Sequence, residues 1–160
     1  MPELHPDVAV LAPPLLGTWT GAGTGEYPTI ETFDYIEEIA VGHIGKPFLT
    51  YSQRTRATAD GRPPLHAETG YLRVPSAGRI ELVVAHPTGG VTEIDEGTLS
   101  VTGDGLDIQL DSTAIGLSRS AKKSVTALSR SFQLTGDELA YNVRMAAVGV
   151  PLTHHLAATL

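Results

Sequence analysis

The residues best suited to carry out chemistry are two neighbouring histidines near the end of the chain. In residues 137–148 the odd positions are mostly apolar and include Met145, so this run predicts a strand whose odd face is buried. If Gly149-Val-Pro151 is a three-residue hairpin loop, Met145 lies opposite His155 and both side chains point inward. A loop of even length would turn His154 inward instead.

An imidazole that faces an apolar interior has two interpretations. It can be a core histidine satisfied by a neighbouring polar group. It can also be the axial ligand of a haem, because neutral imidazole in a dry pocket is the usual donor to haem iron. His66 is the second candidate, since it shares a strand face with Glu68, whose carboxylate could orient the imidazole or bind a metal ion beside it.

Several other chemistries are excluded by what the sequence lacks. It contains no cysteine, which excludes disulfides, thiolate catalysis, iron–sulfur clusters and cysteine-based zinc sites. The glycines of Gly21-Ala-Gly-Thr-Gly25 do not match a dinucleotide-binding fingerprint. The segment Gly116-Leu-Ser-Arg-Ser120 lacks the final glycine of a nucleophile elbow. Neither a nucleotide-binding loop nor a serine hydrolase is therefore expected.

The charge balance is acidic, with a formal net charge of −7, which argues against binding nucleic acid or an anionic membrane. The basic residues between positions 119 and 130 are interpreted as a solvated face, although a lysine at a barrel rim can pair with carboxylates of an anionic ligand. They are Arg119, Lys122, Lys123 and Arg130. The N-terminus does not resemble a signal peptide, and no apolar run approaches the roughly 18 residues of a membrane span. We expect a cytoplasmic protein.

The elements that must position these side chains are β-strands. Gly- and Pro-rich breakers recur along the chain and separate ten β-rich runs, a spacing typical of a meandering antiparallel sheet. The runs are 17–24, 30–41, 46–57, 65–75, 78–86, 90–101, 104–116, 124–134, 137–148 and 151–159. So many strands favour closure, and the sequence predicts an all-β protein, a ten-stranded antiparallel meander β-barrel similar to lipocalins or fatty-acid-binding proteins. A barrel of this width predicts a ligand cavity.

The first run carries the only tryptophan of the chain, Trp19. Gly17, Gly21 and Gly23 lie at even offsets from it and therefore share its strand face, which they leave almost bare. Glycines there predict a bend or a close approach to the backbone. Before them, the proline-rich residues 1–16 predict a short helix or irregular cap over one end of the barrel. We expect one domain, 1–160, with residues 1–16 as the cap and 17–160 as the barrel.

These motifs carry a family resemblance. The segment Gly17-Thr-Trp-Thr-Gly-Ala-Gly23 resembles the signature of the nitrobindins, which are haem-binding β-barrel proteins, and the likeness is greatest to their actinobacterial branch. It covers nearly all of the chain after residue 13. The matching blocks are 17–30, 65–71, 81–87, 123–128 and 145–156. The sequence ends at Leu160, without the basic tail expected of an actinobacterial member.

The resemblance implies one haem b per chain, with iron bound by a single histidine of the last strand at the position of His155. It also implies a pocket with largely apolar walls and a lysine beside the haem. The positions matching that pocket are Leu65, His66, Lys123, Met145 and Phe33, with Tyr35 an equal candidate for the pocket aromatic.

The activity implied by the resemblance is isomerisation of peroxynitrite to nitrate at ferric haem, with binding of nitric oxide to the ferrous form. No residue beyond the haem iron is expected to be catalytic, and the expected partners are these small molecules, with the choice between monomer and homodimer left open. The alternative from a different class is a lipocalin-like carrier of an apolar small molecule without catalysis. A purely structural module is disfavoured, because a wide barrel implies a filled cavity.

Overall fold

Ten antiparallel strands form a closed barrel in the computed structural model of the protein, which describes residues 2–160. Each strand pairs with the next one along the chain, and β1 closes the barrel against β10. The strands are β1 (Gly17–Tyr27), β2 (Ile30–Gly42), β3 (Leu49–Ala57), β4 (Pro64–Arg73), β5 (Arg79–His86), β6 (Val91–Thr102), β7 (Gly105–Leu117), β8 (Val125–Thr135), β9 (Glu138–Ala147) and β10 (Val150–Thr159). The ten-stranded meander barrel predicted from the sequence is confirmed.

The strands form where side chains alternate between interior and solvent. In β9, Leu139, Tyr141 and Val143 are at most 5% exposed, whereas the alternate residues Asn142 and Arg144 face solvent. The predicted buried odd face of this strand is confirmed. The same period of two determines which side chains reach the interior along the regular stretches of the remaining strands.

One end of the barrel is closed by the N-terminal segment. A short 3-10 helix, Pro6–Val8, precedes turns that bring Val8, Leu11 and Leu15 into the core at no more than 4% exposure. The indole Nε1 of Trp19 donates a hydrogen bond to the carbonyl oxygen of Leu15 at 3.0 Å. The expected cap is therefore present, and the single tryptophan fastens it to the first strand.

The glycines of β1 make room for aromatic rings of β2. A Cβ atom on Gly23 would lie 2.5 Å from the ring of Tyr35, and one on Gly25 would collide with the ring of Phe33. A Cβ on Gly21 would approach the backbone of Leu160 to 2.8 Å. The close approach predicted from the sequence is confirmed for Gly21 and Gly23, but not for Gly17, where an added Cβ atom would meet nothing within 4 Å.

The interior near the cap is filled by apolar side chains. A cavity of about 20 Å³ remains there, lined by residues such as Leu15, Ile39 and Leu139. The prediction that the barrel is too wide to be filled is wrong for this half, because the cap segment adds its own side chains to those of the strands. The opposite end of the barrel, which we call the mouth, lies where β1 ends at Tyr27 and β10 begins at Val150.

Candidate functional site

The candidate residues from the sequence meet at the mouth. His66 lies near the start of β4, Phe33 near the start of β2, and Met145 near the end of β9. His155 lies on β10 beside the end of β1, and Lys123 is exposed in the segment between β7 and β8. Since neighbouring strands are antiparallel, these positions belong to the same end of the barrel.

The hairpin that carries His155 differs from the predicted one. Its turn has two residues, Val148 and Gly149, with φ angles of 47° and 80°, as a tight hairpin turn requires. Met145 lies opposite Thr153. The predicted three-residue loop, and with it the pairing of Met145 with His155, is therefore wrong.

Two irregularities in β10 change the direction in which its side chains point. The register shifts once between Val150 and Thr153 and again between His154 and Leu156, so that His155 falls within the second shift. An extra residue of this kind re-aims a side chain locally. A loop of even length was expected to turn His154 inward. The turn does have two residues, but His154 lies opposite the exposed Arg144 and does not point inward.

His155 is held in one tautomer by the backbone of β1. Its Nδ1 atom lies 3.0 Å from the carbonyl oxygen of Glu26. Because a carbonyl can only accept, Nδ1 carries the proton and Nε2 keeps its lone pair. The ring also stacks edge-on against Tyr27, with centroids 5.3 Å apart. Burial lowers the pKa of His155, opposed by the Glu26 hydrogen bond and reinforced by Lys123, and the imidazole is therefore neutral at pH 7.

Tyr27 ties the two strands on either side of this histidine together. Its hydroxyl donates to the carbonyl oxygen of Met145 at 3.0 Å and accepts from the backbone N–H of Ala147 at 2.9 Å. Met145 is half-buried and packs against the core. The backbone around His155 is thus fixed from both β1 and β9.

The other pocket candidates differ in orientation. Phe33 is half-buried on the inward face of β2, with its ring 6.0 Å from that of Tyr35, which is fully buried one step deeper. Phe33 is therefore the one of the two nearer the mouth. Leu65 is 41% exposed and lies on the opposite strand face to the half-buried His66. The structure places Leu65 at the rim rather than in the interior.

A polar layer lies in the interior between the cap and the mouth. The hydroxyls of Tyr35 and Tyr141 are 2.7 Å apart, and Tyr141 donates to Glu37 Oε2 at 3.0 Å. Gln53 Nε2 also donates to this oxygen. Burial raises the pKa of Glu37 to about 7, despite these two hydrogen bonds, and raises the pKa of Tyr35 to about 12.

Arg130 lies at the centre of a second part of this layer. Its guanidinium faces three carboxyl groups, with Nη1 2.8 Å from Glu68 Oε2, Nη2 bonded to Glu93 and Nε 3.3 Å from Asp95 Oδ2. Arg130 is 4% exposed, so the interpretation of this residue as part of a solvated face is wrong. The carboxylates provide the pairing that a buried guanidinium needs.

The pKa values of two carboxyl groups around Arg130 are shifted in opposite directions. Burial alone would raise the pKa of Glu68, but Arg130 and His66 together hold it below its usual value. Burial, followed by Glu93, raises the pKa of Asp95 to about 8. The two carboxyls therefore differ in charge near pH 7 although both adjoin one guanidinium.

His86 links this layer to the mouth, and sequence reasoning missed it. Its Nδ1 lies 3.2 Å from His66 Nε2, and its Nε2 lies 2.6 Å from Glu93 Oε1. His66 Nε2 is in turn 3.1 Å from Glu68 Oε1. The available signal was the alternation of β5, in which His86 follows Val84 on the inward face.

The site can therefore offer a neutral, oriented imidazole at the mouth and a polar cluster beneath it. The largely apolar walls implied by the resemblance are only partly present, since His66, His86 and the carboxylates interrupt them. Among residues 2–160, no helix has the length and apolar character needed to cross a membrane.

A closed antiparallel barrel with such a histidine at its mouth is a small-molecule-binding barrel able to ligate a metal-containing group. Residues 8–160 match the family model described as "THAP4-like, heme-binding beta-barrel domain". The chain belongs to this haem-binding β-barrel family, and the resemblance to the nitrobindins is confirmed.

Similar proteins cover almost the whole chain. A "Peroxynitrite isomerase" of Nocardia farcinica is 65% identical, over 98% of this chain and 91% of its own length. A "Peroxynitrite isomerase 1" of Mycolicibacterium paratuberculosis is 62% identical, over 99% of this chain and 96% of its own. The crystal structure of Rv2717c from M. tuberculosis superimposes with a TM-score of 0.93 at 56% identity, covering 98% of this chain and 97% of that one.

Proposed function

We propose that the protein binds one haem b per chain and isomerises peroxynitrite to nitrate at the ferric iron. Its membership of a haem-binding family supports the cofactor, and relatives named peroxynitrite isomerase at 62–65% identity support the reaction. We further propose that the ferrous form binds nitric oxide, as the resemblance implies.

The observation that carries the proposal is the tautomer of His155. The Nδ1 proton is engaged by the Glu26 carbonyl oxygen, so the lone pair on Nε2 is available to bind iron. Haem-binding histidines in proteins are commonly oriented by a hydrogen bond from the other ring nitrogen. Burial keeps this ring neutral, which a metal ligand requires. The donor present thus fits a haem iron, and His155 would hold that iron through Nε2.

The surrounding residues would hold the rest of the group. Phe33 and Met145, both half-buried at the mouth, provide apolar contact for a macrocycle. Lys123 is exposed beside His155 and is suited to pair with a haem carboxylate. Leu65 contributes from the rim, and His66 forms part of the pocket wall.

A bound haem would supply the iron at which a small oxidant reacts. The protein needs to supply one axial ligand, its orientation through Glu26, and walls that exclude bulk water. We assign no general acid or base among its side chains. We further propose that residues 1–160 form one domain, with a cap at 1–16, of which Met1 lies outside the described residues, and a barrel at 17–160. It would act in the cytoplasm on small molecules, without nucleic-acid or membrane partners, as a monomer or as a homodimer.

Stopped-flow decay of peroxynitrite tests this function. We expect hemin-loaded protein to accelerate decay in proportion to its haem content and to shift the product toward nitrate, and we expect His155→Ala to lose the acceleration. His154→Ala is the matched control and should keep it. Haem-loaded protein that leaves the decay unchanged would rule out the isomerase and favour the alternative, a carrier of an apolar small molecule.

A further inference from the structure

Three possible metal ligands converge beneath the mouth. His66 Nε2, His86 Nδ1 and Glu68 Oε1 form a triangle with sides of 3.1, 3.2 and 3.8 Å. Ligands about 2.0–2.1 Å from a tetrahedral zinc ion lie about 3.3–3.4 Å from one another. The three atoms are therefore spaced nearly as they would be around one ion.

The strands hold this arrangement in place. His66 and Glu68 are two residues apart on the inward face of β4. Thr69 pairs with Ala85 of β5, so the next position along the ladder sets His86 opposite Glu68. Donors on two paired strands, rather than on loops, are placed with little freedom.

Two of the three ligands have a partner that directs them, and His66 Nε2, which faces two acceptors, would exchange its proton for the metal ion. His86 Nε2 lies 2.6 Å from Glu93 Oε1, which assigns the proton to Nε2 and leaves Nδ1 as the acceptor. Glu68 Oε2 accepts hydrogen bonds from Tyr51 at 3.1 Å and Arg130 at 2.8 Å, which leaves Oε1 facing the imidazoles. A carboxylate behind the metal-binding histidine is the usual support of a metal site.

The charge around the cluster also favours a cation. A single guanidinium, that of Arg130, faces the carboxyl groups of Glu68, Glu93 and Asp95. Among the described residues, Glu93 Oε2 and both oxygens of Asp95 are buried without a hydrogen-bond partner. Glu68 and Glu93 are two carboxylates that share one guanidinium, and this excess of buried negative charge favours a bound cation.

We propose that His66, His86 and Glu68 form a binding site for one divalent transition-metal ion of the zinc or ferrous type, separate from the haem ligand His155. Two imidazoles and one carboxylate are a ligand set used for both ions. Three protein ligands leave a position open. The His66 side chain is 36% exposed and that of His86 12%, so the open position can be reached from the mouth.

Titration of the full haem-free chain with Zn²⁺ by calorimetry, and with Co²⁺ by visible absorption, tests the site. We expect one ion per chain and the d–d bands of low-coordinate Co²⁺. His66→Gln and His86→Gln should each weaken binding by at least about 100-fold, and Glu93→Gln by about 10–100-fold. His66→Gln alters a partly exposed side chain, so this variant remains decisive if His86→Gln fails to fold.

Two control variants distinguish this site from nonspecific zinc binding and from the haem ligand. His43→Gln changes a histidine at the cap end and should leave Zn²⁺ affinity unchanged. His155→Ala should also keep it, so that failure of the haem proposal and failure of this one are distinguishable. Absence of stoichiometric Zn²⁺ binding, or equal affinity in wild type and His66→Gln, would show that the cluster is a hydrogen-bonded network only.

Discussion

His155 Nδ1 donates its hydrogen bond to the backbone carbonyl of Glu26 at 3.0 Å, not to a side chain. The orientation of the imidazole therefore depends on the path of β1 at the end of this strand, where Tyr27 is fastened to β9. A ligand positioned by backbone is insensitive to the identity of the residue that provides the carbonyl.

This relationship makes Glu26 replaceable. We expect Glu26→Ala to change hemin affinity by less than about threefold, equivalent to about 0.6 kcal/mol, because the carbonyl oxygen remains. Hemin titration followed by absorbance measures the effect. A loss of tenfold or more would mean that the Glu26 carboxylate, which lies 3.8 Å from His154 Nε2, helps to hold the haem.

The Arg130→Met variant should have a much lower free energy of unfolding than the wild-type protein. Removing the guanidinium leaves Glu68 and Glu93 buried without their main counter-charge, and breaking a buried pair in this way costs about 3–5 kcal/mol. Chemical denaturation gives the free energy of unfolding. Arg54→Met, which breaks the exposed pair with Glu38, is the control and should cost at most about 1 kcal/mol. Equal effects would contradict a structural role for the buried cluster.

The pH dependence of stability should contain a contribution from Glu37. Burial raises its pKa from 4.5 to about 7, with Tyr141, Gln53 and Arg130 opposing the rise and Glu68 adding to it. The folded chain then binds the proton more tightly than the unfolded chain. Its contribution is fully present below pH 4.5 and is lost as the pH rises through about 7, a difference of about 3 kcal/mol.

Glu37→Gln should remove this dependence, because the amide keeps an oxygen for Tyr141 and carries no charge. Unfolding free energies of the haem-free protein measured between about pH 5 and 8 should decline less steeply in the variant than in wild type. Glu31→Gln, at an exposed position of the same strand, should follow wild type. Parallel curves for wild type and Glu37→Gln would contradict the assignment.

The sequence was most informative where alternation is regular. The odd face of β9 and the bare face around Trp19 follow from period two alone, and the recurring breakers set the strand number. The register of β10 could not be predicted from this alternation, because a bulge adds a residue without altering the apolar pattern. The tautomer of His155 also needed the structure, since its partner is a carbonyl 129 residues away in the chain.

The buried polar layer was the main feature that the sequence concealed. Arg130 follows Leu128 on the inward face of β8. Because arginine side chains are usually exposed, the sequence favoured a position in solvent for it. Only the arrangement of β8, β4 and β6 in three dimensions brings Glu68 and Glu93 to its guanidinium. His86 was overlooked for the same reason, as its partners lie on other parts of the chain.

The most direct test of the haem assignment is an absorption titration of the purified protein with hemin. We expect a Soret band that saturates near one hemin per chain, is retained in His154→Ala and is largely lost in a folded His155→Ala variant. An unchanged band in His155→Ala would move the axial ligand to another residue. No Soret band under saturating hemin would contradict haem binding itself.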